Sequence, residues 1–478
     1  MEDILKHNHK KDICLFLGLF VLSVISVYYF PPTLNKVFFL FLLIPVWLSK
    51  KDYFWLTFFI IIISGPMRLF EDYSGQALHR IPEYDIVGKY GTDFNELFLI
   101  LFFIKAGTRG IRNRLLLNNN YLILLYLIVF LYCLSFAYGF KVTILISYSR
   151  SLLYFTLFYS VPRLIKNEDI IFIFKVFILF TLLSFSNQLL TATIGFNLAD
   201  KIAGTHWLER FFLDAEFKRA YDSTLPQFFT FIFGLVLYSM KKSLIKKNYL
   251  LFIIVISYLS IFLTGTRGWI LAFSVVAIYY NLFIETQKSK FLMTTIISLM
   301  LILSIVSFMP QLNSLLRSNV DRMLTLKSLA KGDATAEHTL GRLTVRLPRV
   351  VKGIKQNPIL GSGFSNTFDY YRDGHMGWAN QILQMGMVGL LLFIFFWISF
   401  WKYNVNLSKR LSMQNPFKNS IATLNTGLLC LLVIHSTSRT MFNISMPHTM
   451  LTLVIMYLLS SDLWAKLAIE QNGIIRTK

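Results

Sequence analysis

Residues 342–391 read RLTVRLPRVVKGIKQNPILGSGFSNTFDYYRDGHMGWANQILQMGMVGLL, and they join two different solvents. The first half is basic and periodic, and the second half runs into an apolar span. At 100° per residue, Arg342, Arg346 and Arg349 fall within about 60° of one another. Leu343, Leu347, Val350, Val351 and Ile354 gather on a separate face, centred roughly 120° away. A short amphipathic helix with three guanidinium groups in one row is therefore expected. A turn cluster follows, Asn357-Pro358 and Gly361-Ser362-Gly363, and then His375 at the lip of the next hydrophobic segment. A fixed cationic row beside a lone histidine at a membrane boundary suggests chemistry on an anionic, lipid-linked molecule.

Outward from this stretch the chain is apolar. Of its 478 residues, 55% are hydrophobic, 16% aromatic and only 15% charged. Long apolar runs separated by short basic connectors mark an all-α, polytopic integral membrane protein. The runs fall near 13–30, 34–49, 53–65, 93–105, 120–139, 143–161, 170–190, 224–239, 249–264, 268–285, 291–309, 377–400, 421–436 and 446–461. By the ~20-residue criterion they predict about twelve to fourteen transmembrane helices, several of them short. The first run follows Lys6, Lys10 and Lys11 and ends at bulky Tyr28-Tyr29-Phe30-Pro31-Pro32, so it reads as an uncleaved span.

The formal charge of +22 would suit nucleic acid, but most lysines and arginines sit in connectors, where membrane topology explains them. With the N-terminus inside, the inside connectors hold Lys50, Lys51, Lys105, Arg109, Arg112, Arg114, Arg163 and Lys166. Further along they hold Lys241, Lys242, Lys246, Lys247, Lys288, Lys290, Lys402, Lys409, Arg410 and Lys418. The short outside connectors hold only Lys36, Lys141, Arg267 and Arg439. Both termini are expected to be cytoplasmic. Longer outside segments lie at 66–92, 191–223 and 310–376. The chain thus divides into helices and loops over 1–309, a large extracytoplasmic loop over 310–376, and the last spans and tail over 377–478.

Few residues are candidates for chemistry. A neutral His375 can accept a proton from a sugar hydroxyl, and the start of the next helix would favour its base-competent form. Arg267, in Thr264-Gly265-Thr266-Arg267-Gly268, lies at the outside boundary of two spans, where a guanidinium either snorkels to the headgroups or holds a phosphate. Arg150 is a weaker case within its run. The aromatic and charged segment from Thr205 to Arg219 suits interfacial anchoring or sugar stacking. His435 and His448 have no assigned role. Cys14, Cys133 and Cys430 lack metal-ligand spacing and imply no disulfide framework. With no carboxylate pair, no His/Asp metal cluster and no Walker-type loop, the expectation is a metal-independent reaction without a cofactor and without nucleotide-driven transport.

The run from His375 to Gly389, HMGWANQILQMGMVG, resembles the signature of bacterial O-antigen ligases and O-antigen polymerases, in which a His-Asn pair opens a helix that later carries a Gly-Leu-Ile-Gly-like step. Asn357–Phe364 is similar to the family's Pro-Leu-Leu-Gly-x-Gly turn, Gly341-Arg342-Leu343 to its Gly-Arg-Leu helix start, and Thr264–Gly268 to its Gly-Ser-Arg-Gly segment. The motifs cover roughly residues 260–400, in the family's order. Two departures stand out. Met376 occupies the place of the usual Asn, leaving Asn380 to supply any hydrogen bond that Asn makes. The interval from Arg342 to Pro358 is about one residue longer, so the functional arginine is either Arg342 or Arg346, with Pro348 set to kink the helix just beyond.

The resemblance implies a GT-C-like helical architecture in the bacterial cytoplasmic (inner) membrane, with the active site on the extracytoplasmic face. The implied donor is a glycan on undecaprenyl pyrophosphate, with membrane lipids around its tail. His375 would deprotonate the acceptor hydroxyl. Arg267 and Arg342 or Arg346, on the row that also holds Arg349, would bind the pyrophosphate. A polymerase would use a second lipid-linked glycan as acceptor, and a ligase would use lipid A-core. Both need the same base and cations, and the polymerase is the favoured reading. A chain-length regulator and a flippase are the implied pathway partners, and nucleic acid is not. From another class, a lipid-linked oligosaccharide flippase would place its charges within the spans rather than on a long outside loop. A membrane scaffold would leave the arginine row and the histidine incidental.

Overall fold

The computed structural model describes residues 9–70, 81–87, 90–109, 119–165, 169–204, 220, 222–240, 245–285, 310–325, 327, 331–333, 342–410 and 418–437. In chain order these form α1 (Lys10–Tyr29), α2 (Pro32–Leu48), α3 (Asp52–Ser64), β1 (Glu83–Val87), β2 (Tyr90–Asp93), α4 (Phe94–Arg109), α5 (Asn119–Tyr138), α6 (Val142–Leu152) and α7 (Leu157–Leu164). There follow α8 (Ile170–Ile194), α9 (Leu198–Ala203), α10 (Leu225–Tyr238), α11 (Lys247–Leu263), α12 (Arg267–Tyr279) and α13 (Pro310–Leu324). The last are α14 (Leu347–Ile354), α15 (Asn366–Tyr371), α16 (Gly377–Arg410) and α17 (Lys418–Thr437).

Six helical stretches among the described residues are long and apolar enough to cross a membrane, and five more apolar helices of 10–17 residues accompany them. The protein is a polytopic helical membrane protein. The expected spans at 291–309 and 446–461, the segment 205–219 and His448 lie outside the described residues. One element departs from an all-α reading: β1 and β2 form an antiparallel hairpin inside the loop expected at 66–92.

The chain divides into two compact units, residues 1–115, 156–265 and 286–319 in the first, and 116–155, 266–285 and 320–478 in the second. In the first unit, α3 is buried on nearly every side, and Phe16 of α1 meets Phe54, Phe58, Phe172 and Phe180 edge to face. A polar seam runs through the same unit. Gln188 Nε2 donates to the carbonyls of Ala220 and Ser260, both at 3.2 Å, and its Oε1 accepts from Ser260 Oγ at 2.7 Å. Thr181 and Thr230 share a 2.8 Å bond nearby. Side-chain hydrogen bonds of this kind join helices where lipid offers no hydrophobic drive for their association.

Contacts between helix ends show which ends lie together. In the first unit, Lys51 Nζ lies 2.6 Å from Asp12, and Lys105, 2% exposed, lies 2.5 Å from Asp52 and donates to the carbonyls of Val46 and Ser49. At the opposite ends, Tyr84 bonds the Lys36 carbonyl, Ser223 Oγ bonds that of Ser64, and the Ala220 amide bonds that of Leu263. Each contact joins ends that the alternating connectors assign to one side. Placing the lysine-rich ends in the cytoplasm rests on the charge asymmetry.

Asp222 sits at the lysine-poor end of the first unit, 2% exposed, with Oδ1 accepting the Ser223 amide at 2.6 Å. Burial pushes its carboxyl up to about 7, against the opposing pull of the Arg68 guanidinium. Arg68 and Met67 themselves hold left-handed backbone, at φ 63° and 54°.

Candidate functional site

The second unit holds all five residues expected to do chemistry, and its local structure is built around a broken helix. Within α16, Gly386 has φ 60° and ψ −171°, a combination open to glycine alone. The break strands amides and carbonyls on both sides, and the turn at residues 357–364 takes them up. Met387 and Val388 donate to the carbonyls of Pro358 and Ile359, both at 3.1 Å. Ser362 donates to the Leu383 carbonyl at 2.9 Å, and Gly363 donates to that of Gln384 at 2.7 Å. Approach is so close that a Cβ on Gly386 would fall 2.2 Å from the Ile359 oxygen, and one on Gly361 would fall 2.3 Å from the Gly386 nitrogen. The turn and the glycine step, two separate motifs in the sequence, are one structural piece. Its outer side rests on α5, where Ser135 Oγ accepts the Phe364 amide at 2.6 Å.

The break also redirects the first part of α16. The rings of Tyr279 on α12 and Trp401 on α16 lie 6.2 Å apart, and Asn404 bonds Asn425 on α17 at 2.9 Å, so these residues mark one level. A straight helix would carry Gly377 about 36 Å above Trp401 at 1.5 Å per residue. Instead Gly377 abuts the carbonyl of His435, which lies only about 15 Å above Asn425 along α17 by the same rise. The segment 377–385 therefore turns over instead of continuing the axis of α16. Arg267, at the N-terminus of α12, lies about 18 Å above Tyr279. It thus reaches about the same level as His435 and the start of α16. Arg267 is partly buried and follows the Thr266 N-cap.

His375 occupies the exposed turn just before α16. Asp373 organises that turn: its Oδ1 accepts the His375 amide at 2.9 Å and lies 3.5 Å from Arg346 Nη1. Asn380, 5% exposed, locks the turn from the helix, accepting the Asp373 amide at 2.9 Å and donating to its carbonyl. The side-chain bonds to the turn come from Asn380. One carboxylate joins the arginine helix to the histidine turn. On the far side of α16, Trp378 Nε1 bonds Ser436 Oγ at 2.9 Å and stands edge-on to His435, with ring centroids 4.6 Å apart.

The arginine row is split in its contacts. Residues Arg342–Arg346 form a π turn that passes into α14, and Pro348 lies in the first turn of α14. No ladder donor is needed there, so the proline opens the α-helical part instead of kinking it. Arg349 Nη2 donates to the Tyr370 carbonyl, with its guanidinium 5.7 Å over the Tyr370 ring. Of the two side chains of the row that are described, Arg346 is the one tied to Asp373. The side chain of Arg342 lies outside the described structure. Arg150 is partly buried near the end of α6 and Cys430 is buried in α17. Among the described residues, no three His, Cys, Asp or Glu side chains group as metal ligands. Sequence reasoning passed over Asp373, whose only sequence signal is its place two residues before His375.

A family model described as O-antigen ligase matches residues 252–394. The matched span runs from within α11 into α16 and contains Arg267, Arg342, Arg346, Arg349 and His375. No curated protein and no solved structure matches the chain.

Proposed function

We propose, from the O-antigen ligase domain carried by residues 252–394, that this protein is a membrane glycosyltransferase of surface-polysaccharide assembly. It transfers a glycan from undecaprenyl pyrophosphate to an acceptor hydroxyl at the extracytoplasmic face of the bacterial inner membrane, and the favoured reaction is polymerisation onto a second lipid-linked glycan. The acceptor oxygen attacks the anomeric carbon, its proton passes to a ring nitrogen of His375, and the bond from that carbon to the phosphate oxygen breaks with inversion. Arg267, Arg342 and Arg346 hold the departing pyrophosphate, and Arg349, braced on Tyr370, adds charge to the same surface. The planar guanidinium suits phosphate oxygens, and a preorganised contact of this kind is worth on the order of 10²–10³ in rate. The observation that carries the reading is the Asp373 carboxylate, which accepts the His375 amide and pairs with Arg346, joining the histidine turn to the arginine helix within the matched span.

A glycan ladder from the native host tests it. A gene deletion is complemented with wild type, His375→Ala or empty vector. Single repeat units with normally expressed His375→Ala support the polymerase. Long polymer stranded on the lipid carrier would assign the ligase reaction onto lipid A-core instead. Repeats trapped on the cytoplasmic face in the deletion would point to a flippase, and a normal ladder with His375→Ala would remove the general base.

A further inference from the structure

The redirected segment 377–385 carries two glutamines that the proposed chemistry leaves unused. Gln381 is 0% exposed and Gln384 is 1% exposed, and among the described residues neither amide nitrogen nor amide oxygen has a hydrogen-bond partner. Ser362, in the turn that plugs the helix break, is also 0% exposed, and its hydroxyl has no partner among the described residues. At 100° per residue Gln381 and Gln384 fall within about 40° of Gly377. That face meets the His435 carbonyl, and Leu383, about 120° round from Gly377, meets Gly353. The glutamines therefore share the face of the segment that meets α17.

A buried polar side chain without a partner bears the full desolvation penalty of its amide, and native proteins hold few of them. Methionine would fill the same volume at no such cost. Two such amides, on a segment whose Leu383 and Gln384 carbonyls accept the amide of Ser362, indicate a polar ligand. The chemistry of the amide selects which part. A glutamine both donates and accepts, which matches a sugar hydroxyl with its one donor and two lone pairs, whereas a pyrophosphate offers acceptors alone and would be repelled by the amide oxygen. Arginine serves the phosphate, and amides serve the sugar.

We propose that Gln381 and Gln384, with Ser362 beside them, form a saccharide subsite that binds hydroxyls of the glycan adjoining the reacting sugar. The subsite lies about 6–10 Å along the helix axis from Gly377, within reach of a chain whose end meets His375. This rests on the glycosyltransferase reading above and adds to it the part of the substrate that the arginines do not hold.

The test uses the purified full-length protein in proteoliposomes with the host's own repeat unit on undecaprenyl pyrophosphate. Gln381→Met and Gln384→Met are made singly and together, so that the single variants keep the test if the double variant fails to fold. The expected result is a melting temperature equal to or above wild type, with kcat/KM at least tenfold lower for each variant. Inhibition by sugar-free undecaprenyl pyrophosphate should stay as in wild type. Unchanged kcat/KM in folded variants overturns the subsite and leaves the transferase reading in place. Weakened inhibition by sugar-free carrier overturns the assignment to sugar in favour of the pyrophosphate. Absence of transfer by wild type is the separate result that removes the transferase reading, and the subsite with it.

Discussion

Gly386→Ala is the sharpest perturbation of the site that leaves every charged group untouched. An alanine must adopt φ 60° and ψ −171°, which costs about 1–3 kcal/mol for a residue with a Cβ. It must also place that Cβ 2.2 Å from the Ile359 oxygen. The turn has to move by about an ångström to reach ordinary contact. That movement breaks the bonds made by the amides of Ser362, Gly363, Met387 and Val388, at about 1 kcal/mol each. The sum is on the order of 5 kcal/mol, comparable with the whole stability of many domains. Gly374→Ala is the control, because a Cβ there meets nothing within 4 Å. Thermal unfolding of the detergent-solubilised protein should show a large drop for Gly386→Ala and little change for Gly374→Ala. Equal melting temperatures would refute the plugged-helix account.

Asn380→Ala removes both bonds that lock the Asp373 turn, so kcat should fall about 10–100-fold through misplacement of His375, with donor binding retained in equilibrium measurements. Arg346→Ala should slow transfer about 10²-fold. Arg349→Ala should chiefly lower the melting temperature, since its guanidinium bonds the Tyr370 carbonyl. Asp222, held up at about 7, contributes stability that is complete below the ordinary carboxylate pKa and is lost as pH rises through 7. Asp222→Asn should therefore flatten a decline of up to about 4 kcal/mol between pH 4 and 8, read from melting temperatures across that range.

The helices were legible because a ~20-residue apolar run has few other fates. The turn at 357–364 and the glycine step after it were legible as separate motifs. Their joining was not. Nothing in the periodicity of MGMVG shows that Gly386 breaks the helix, because apolar spacing continues through it. The partner that fills the break lies at Pro358 to Gly363, more than twenty residues upstream. The row at Arg342, Arg346 and Arg349 assumed an α-helical period throughout, and the π turn over Arg342–Arg346 with separate partners for Arg346 and Arg349 reshaped it. The hairpin Glu83–Asp93 was hidden because its alternation is short and interrupted. Asp373 stands out only through the fold, where one of its oxygens is shared between the His375 amide and Arg346.

The most direct test of the central claim is single-turnover transfer by purified protein in proteoliposomes, comparing wild type with His375→Ala and following release of undecaprenyl pyrophosphate. A general base predicts a rate lower by about 10²–10⁴ in His375→Ala, with donor affinity and melting temperature held near wild type. Release at the wild-type rate from a folded His375→Ala protein would contradict it.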